Sequence, residues 1–502
     1  MKASWSRILL GGLSITLAWS ASAAGEGPEK WLRDGRKAVE RARSLQPAGA
    51  RAKNVIVFIG DGMDLSTITA ARILEGQFQG GTGESNRLAF EELPHVALAK
   101  TYNTNQQVPD SAGTMTAILT GAKTRAGVVG LDERATRGDA SSATGHELRN
   151  LFQQAEERGV ATGIVTTTRV THATPAAAYA HTPERNWEDD TDLSSAAREA
   201  GFRDIARQLV EWRYGDGIDV VLGGGRSQFL PRERSDPEYP DIKGRRADGR
   251  DLVAEWQARH PAGRTVWNRA EFDAVDPGET RSLLGLFEPS HMQFELERSK
   301  DKSGEPSLAA MTEKAIAILA RNAKGYVLLV EGGRIDHAHH LGNAHRALVD
   351  TIALSDAVRA ARKQTSAEDT LILVTADHGH VLTIAGYPTR GNPILGKVVE
   401  NDERGEARSD FATDRNGLPY TTLGYQNGPG VRKMRPDLST VDTTEPEFRQ
   451  EALVPLAAET HSGEDVPVFA GGPGAALFHG VQEQSYLYHA IVEALGWGEP
   501  ES

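Results

Sequence analysis

Short continuous apolar runs alternate along the chain with stretches in which apolar residues recur every three or four positions. Asn54–Gly60, Tyr326–Val330 and Leu371–Ala376 are the clearest runs, each closed by a glycine within a few residues. Runs of this length without polar interruption predict strands buried on both faces, as in a parallel sheet covered by helices. Helical periodicity is read over Glu29–Ser44, Leu65–Leu74 and a long stretch that begins near Asp336 and runs through Ala344 to Ala361. The fold class expected is α/β, a three-layer sandwich with a mostly parallel central sheet and surface insertions.

The residues just past each run carry the candidate chemistry. The first run ends in Asp61-Gly62-Met63, the second in Glu331-Gly332-Gly333 and the third in Asp377-His378-Gly379. In parallel sheets ligands bind beyond the carboxyl ends of the strands, so three carboxylates and a histidine are expected to converge there. Asp336 and His340 lie four apart at the head of a helix, which puts both on one face within reach of one cation. Taken singly, Asp336 is also explained as a carboxylate favoured at a helix N-terminus and the histidines as a solvated turn. Taken together, a buried set of unpaired carboxylates is very costly without cations. Ser111 follows Asp110 at the start of another predicted helix but lies in no Gly-x-Ser-x-Gly elbow, so a metal is its expected activator.

These residues resemble alkaline phosphatases, the animal type more than the enterobacterial one. The resemblance rests on Gly60-Asp61-Gly62-Met63, Asp110-Ser111-Ala112, Thr171-His172-Ala173-Thr174-Pro175-Ala176, Tyr179-Ala180-His181-Thr182, Arg185-Asn186-Trp187, Glu331 to His337, Thr375-Ala376-Asp377-His378 and Glu459 to Asp465. It implies a phosphomonoester hydrolase acting through a phosphoserine on Ser111, with an alkaline optimum, releasing inorganic phosphate and an alcohol. One zinc would be held by Asp336, His340 and His461, and a second by Asp61, Asp377 and His378. A magnesium would be held by Asp61, Thr174 and Glu331, and Arg185 would grip the phosphate. These types suit those ions, imidazole and carboxylate for zinc and an all-oxygen set for magnesium. His172 and His337, supporting positions behind the ligands, stand where the enterobacterial enzyme has aspartate and lysine. Asp64 replaces a glycine. The resemblance further suggests a calcium site from Glu238, Phe287, Glu288 and Glu305, against the alternative of surface carboxylates paired with Arg232, Arg234 or nearby lysines. His181, His380 and His479 are read as structural histidines.

Composition fits an exported enzyme. Residues 1–23 read as a secretory signal, with Lys2 and Arg7 before an apolar run and Ala21-Ser22-Ala23 at its end. That run is too short for a stable membrane span. The remaining residues, 24–502, are expected to form a single catalytic domain with insertions at about 232–306, bearing the candidate calcium site, and about 386–451, a crown-like subdomain. The chain has no cysteine and a formal charge of −13; cleavage removes two cations and no acids, leaving −15. An acidic surface disfavours nucleic acid, so small phosphomonoesters and inorganic phosphate are the expected partners, on an exported, periplasmic or secreted protein. In the family the N-terminal helix embraces a partner subunit, which implies a homodimer. Two alternatives share these features: a related bimetal phosphodiesterase or sulfatase, and a noncatalytic phosphate-binding protein. The second would be expected to lack a ligand or the nucleophile.

Overall fold

The apolar runs fold as strands whose every residue is buried, because both faces of the sheet they form carry helices. The structure is a computed structural model that describes residues 27–43, 51–431 and 434–498. The export signal expected over residues 1–23 lies outside the described residues. In chain order the strands are β1 Asn54–Gly60, β2 His95–Lys100, β3 Ala161–Arg169, β4 Val220–Gly224, β5 Arg264–Val266, β6 Leu283–Leu286, β7 Tyr326–Gly332, β8 Thr370–Ala376, β9 Gly379–His380, β10 Leu382–Ile384, β11 Leu423–Gly428, β12 Ala452–Pro455, β13 His461–Ser462, β14 Val466–Gly471 and β15 Gly480–Glu483.

Ten of them form one sheet in the order β15-β2-β14-β8-β1-β7-β3-β4-β6-β5. Its centre is parallel, and only β14 runs antiparallel to its two neighbours. Helices Leu65–Phe78, Leu308–Leu319 and Ala344–Gln364 pack together as one layer, and Ser111–Thr120, Leu151–Glu157 and Tyr486–Leu495 belong to the other. The register matters for function. Ile59 pairs with both Glu331 and Thr375, and Gly60 with Gly332 and Ala376, so Asp61, Glu331 and Asp377 emerge side by side at the carboxyl ends of adjacent strands.

Two expectations are corrected. The helix read as continuous from Asp336 to Ala361 is two, Arg334–His340 and Ala344–Gln364. Gly342 between them adopts φ +66°, and the Asn343 side chain accepts from the Arg346 N–H, so one helix stops and a capped one starts. Asp336 and His340 therefore sit on a short helix of their own. Residues 232–306 are not only a surface insertion, since β5 and β6 continue the main sheet by parallel pairing beyond β4. The apolar Leu283–Leu286 run is fully buried and needs that position. Residues 386–451 are mostly irregular and contribute β11 to the small sheet β10-β11-β12. No helix among the described residues is long and apolar enough to cross a membrane.

Candidate metal centre

Three groups of side chains gather past the carboxyl edge of the sheet. In the first, Asp336 Oδ1 is 3.2 Å from His340 Nε2 and 3.2 Å from His461 Nε2. His461 comes from far along the chain but is carried in by the ribbon β13–β9, where it pairs with His380. In the second, His378 Nε2 lies 3.4 Å from Asp61 and 3.3 Å from Asp377, and 3.1 Å from Ser111 Oγ. In the third, Asp61, Glu331 and His172 present atoms close enough to share an ion, with Thr174 buried beside them on the segment after β3. The His378 and His461 rings stack 3.6 Å apart, so the first two groups are neighbours.

The histidine tautomers suit metal binding. His340 Nδ1 donates to the Glu459 carbonyl at 2.6 Å, His461 Nδ1 to the Pro109 carbonyl at 2.8 Å, and His378 Nδ1 to the Gly379 carbonyl at 3.3 Å. Each Nε2 is left with its lone pair toward the cluster. His380 also touches Asp336, at 2.8 Å, and is therefore within the first group by distance. Its other nitrogen meets Glu459 Oε2 at 2.6 Å, so carboxylates face both nitrogens. They outweigh burial and carry its pKa up to about 10. His380 thus bridges Asp336 and Glu459.

The carboxylates show what the site lacks. Both oxygens of Asp61, one of Glu331, the Thr174 hydroxyl and His172 Nδ1 are buried without a hydrogen-bond partner. Burial, reinforced by Asp377, Asp336 and Glu331, pushes Asp61 well above the carboxylate range, and burial pushes Glu331 up to about 7. Burial also raises Asp377, against hydrogen bonding from Gly62. Asp336 would be raised by burial too, but His340, His380 and His461 hold it well below its ordinary value. Several buried acids with open lone pairs in one place make a cation-binding site, because an unpaired buried charge is costly. The residues present thus fit divalent metal ions.

Ser111 is the first residue of a fully buried helix that Asp110 caps by accepting from the Gly113 N–H. Asp110 does a second job: its Oδ2 accepts from Arg185 Nη1 at 3.0 Å. Arg185 Nη2 donates to His172 Nε2 at 3.2 Å. The guanidinium is thus fixed beside the helix that Ser111 opens. Asp64, unexplained from sequence, caps the helix Leu65–Phe78 and accepts from the His380 N–H at 3.1 Å, which ties that helix to the β9 ligand loop.

A fourth group lies apart. Glu238, Glu288 and Asp301 converge, with oxygens close enough to share an ion. Glu305 is adjacent and buried, with Oε1 accepting from the Gln293 N–H and Oε2 open. The glutamates are buried rather than superficial, and the arginine that meets Glu238 is Arg226, not Arg232 or Arg234. Phe287 is buried on the strand-end segment just before Glu288. Sequence reasoning passed over Glu459 and the structural role of Asp110. Only Glu459 had a signal, its place two residues before His461. His337 stands as predicted next to Asp336, with Nδ1 accepting from Arg334.

Comparison with known proteins agrees with this geometry. Residues 52–497 match the family model described as alkaline phosphatase. The chain is 47% identical over 477 residues to the tissue-nonspecific isozyme of alkaline phosphatase from Gallus gallus, covering 93% of this chain and 89% of that protein. It is 46% identical over 481 residues to an alkaline phosphatase of Gadus morhua, covering 94% and 98%. Among solved structures, alkaline phosphatase of Thermus thermophilus superposes with a TM-score of 0.63 at 26% identity, covering 91% of this chain and 94% of that one. That of the Antarctic bacterium TAB5 gives 0.59 at 22%, covering 90% and 99%.

Proposed function

The chain belongs to the alkaline phosphatase family, metal-dependent phosphomonoester hydrolases that act through a phosphoserine, and we propose that it performs this chemistry with Ser111 as the nucleophile on small phosphomonoesters. The observation that carries this reading is Ser111 Oγ at 3.1 Å from His378 Nε2, beside carboxylates that lack partners. Asp336, His340 and His461 would hold one zinc, and Asp61, Asp377 and His378 a second. Asp61, Thr174 and Glu331 would hold magnesium, with His172 behind. When bound, such ions would supply positive charge that lowers the serine pKa and neutralises the attacking and leaving oxygens.

Arg185 grips two phosphoryl oxygens through its planar fork, oriented by Asp110 and His172. Ser111 loses its proton and its Oγ attacks phosphorus in line, expelling the substrate's alkoxide. The resulting phosphoserine is then attacked by water from the vacated side, which returns the serine and releases inorganic phosphate. Two in-line steps give retention at phosphorus. The buried position of Ser111 keeps bulk water from the first step.

Supporting the remaining assignments are the chain's own features. Glu238, Glu288 and Asp301, with the Phe287 carbonyl and Glu305 nearby, would bind calcium. The N-terminal segment supports export, and helix Pro28–Arg43 would take part in a homodimer. The test is a Ser111→Ala variant: loss of the trapped phosphoenzyme and of most turnover is expected, with zinc and magnesium content retained. Unaltered turnover refutes Ser111 as nucleophile. Rates on a monoester and a diester of one phenol separate this reading from a phosphodiesterase.

A further inference from the structure

Arg185 and His172 touch, and the stretches of chain that carry them are joined a second time close by. Arg185 Nη2 donates to His172 Nε2 at 3.2 Å. Glu188, three residues after Arg185, accepts from the Thr171 hydroxyl at 2.5 Å, and Thr171 immediately precedes His172. The same carboxylate takes the fork of Arg169, the last residue of β3, with Nε on Oε2 at 2.7 Å and Nη2 on Oε1 at 2.6 Å. Glu188 and Thr171 are both buried. One carboxylate thus grips the end of β3 and the residue before His172 together.

The contacts close a circuit through Arg185, Glu188, Thr171 and His172. On one side the loop is fixed by its main chain, since the Arg185 N–H donates to the Gly127 carbonyl at 2.9 Å and the Glu188 carbonyl accepts from the Ala206 N–H at 3.0 Å. On the other side, the Thr171 hydroxyl is the side-chain tie from the segment of His172 to that loop. The guanidinium needs both of its neighbours. Asp110 receives Nη1 through a single hydrogen bond, about which the planar group can still pivot, and the contact of Nη2 with His172 stops that pivot. Where His172 stands therefore decides the plane of the fork.

We propose that Glu188 is a positioning residue for the phosphate grip: through Thr171 it sets the place of His172, and His172 with Asp110 sets the plane in which Arg185 presents its donors. Glu188 does not touch the substrate. A fork held in one plane loses less freedom when a phosphoryl group arrives, so phosphate-bearing ligands bind more tightly. The proposal rests on the phosphomonoesterase reading.

The test uses the metal-replete full chain, with steady-state kinetics on an aryl phosphate and competitive inhibition by inorganic phosphate. Thr171→Val removes the hydroxyl at nearly the same shape, and Glu188→Asp keeps the charge while drawing the carboxylate back by one methylene. Neither alters net charge, so a changed attraction for the anion plays no part. Each is expected to raise KM and the phosphate Ki by about fivefold, the scale of one typical hydrogen bond, with kcat changed less than about threefold. Thr171→Ser, which keeps the hydroxyl, is expected to stay within about twofold of wild type. In an Arg185→Ala background, adding Thr171→Val should leave the phosphate Ki unchanged, because no fork remains to be oriented. A merely structural loosening would weaken binding in both backgrounds by the same factor and would overturn the proposal. So would a Thr171→Val Ki within about twofold of wild type, a Thr171→Ser variant as weak as Thr171→Val, or a loss of magnesium from Thr171→Val, which would assign the effect to the metal group. Because Glu188 is buried, the Thr171 variants decide the matter if Glu188→Asp does not fold. A wild-type protein without phosphomonoesterase activity would defeat the functional reading and the proposal with it, whereas an active enzyme with an unmoved Ki would defeat the proposal alone.

Discussion

Asp110 carries two roles that one substitution can separate. It caps the helix that begins at Ser111 and it anchors Arg185, at 3.2 Å to the Gly113 N–H and 3.0 Å to the guanidinium. Asparagine is as good a cap as aspartate, so Asp110→Asn should cost the helix no more than a few tenths of a kcal/mol, whereas Asp110→Ala should cost about 1 kcal/mol. The anchor behaves differently. Gly127 and Asn103 N–H groups also donate to this carboxylate, and an amide NH₂ turned toward Arg185 would set donor against donor. A hydrogen bond between charged groups contributes about 1.5–3 kcal/mol; the pair is 17% and 18% exposed, which favours the lower end. A loss of about 1.5 kcal/mol is about tenfold in an equilibrium constant. Asp110 also competes with phosphate for the guanidinium, which acts in the opposite direction, but Arg185 has five N–H donors and only two are engaged by Asp110 and His172. Orientation should therefore dominate. The expected result is an inorganic phosphate Ki raised about tenfold in Asp110→Asn with a melting temperature lowered only by the lost ion pair, and a larger fall in Asp110→Ala, which loses the cap as well. A phosphate Ki that stays level or falls in Asp110→Asn would refute the anchoring argument, and equal melting losses in both variants would refute the division of roles.

Chelation should lower the melting temperature by several degrees, since it returns Asp61, Asp377 and Glu331 to a buried site without counter-charge; a melt unaffected by chelator would contradict the metal-held architecture. At the fourth group, Asp301→Asn should weaken calcium binding in calorimetric titration more than Glu305→Gln does, and the reverse order would restore Glu305 as the ligand. Glu156 is buried, and burial first, then Asp219 and Asp216, pushes its pKa up to about 9 from an ordinary 4.5, against a hydrogen bond from Thr162. The folded chain keeps that proton where the unfolded chain has lost it, so its stability declines as pH climbs from 4.5 towards 9. Glu156→Gln should be more stable than wild type by a margin that grows with pH over that window, at most about 1.4 kcal/mol per pH unit, in urea unfolding at about pH 6 and about pH 8. A margin independent of pH would show that Glu156 is ionised in the fold.

Much of this was legible in the chain itself. The runs ending at Gly60, Val330 and Ala376 needed two covered faces, and their ends could only be neighbours if the strands paired in parallel. Asp61, Glu331 and Asp377 therefore announced the site before any geometry was known. What was hidden depended on turns and on contacts between distant segments. Gly342 breaks a pattern whose periodicity continues across it, because one left-handed residue redirects a helix without altering its apolar spacing. His380 looks like any histidine two places after His378; only the fold brings Asp336 to one side of its ring and Glu459 to the other. Asp301 and Glu305 are both acids in one charged loop, and nothing in their spacing says that Asp301 approaches Glu238 and Glu288.

The proposed ligand positions run from Asp61 to His461, separated by 400 residues of chain, and the last arrives only when β13 lies beside β9. A nascent or clipped polypeptide that stops short of that ribbon can form strands β1 to β8 and still own no complete first group. Ion capture at the first group would then report that the chain has been made and folded as far as β13, and a fragment lacking it would hold at most the second and third groups.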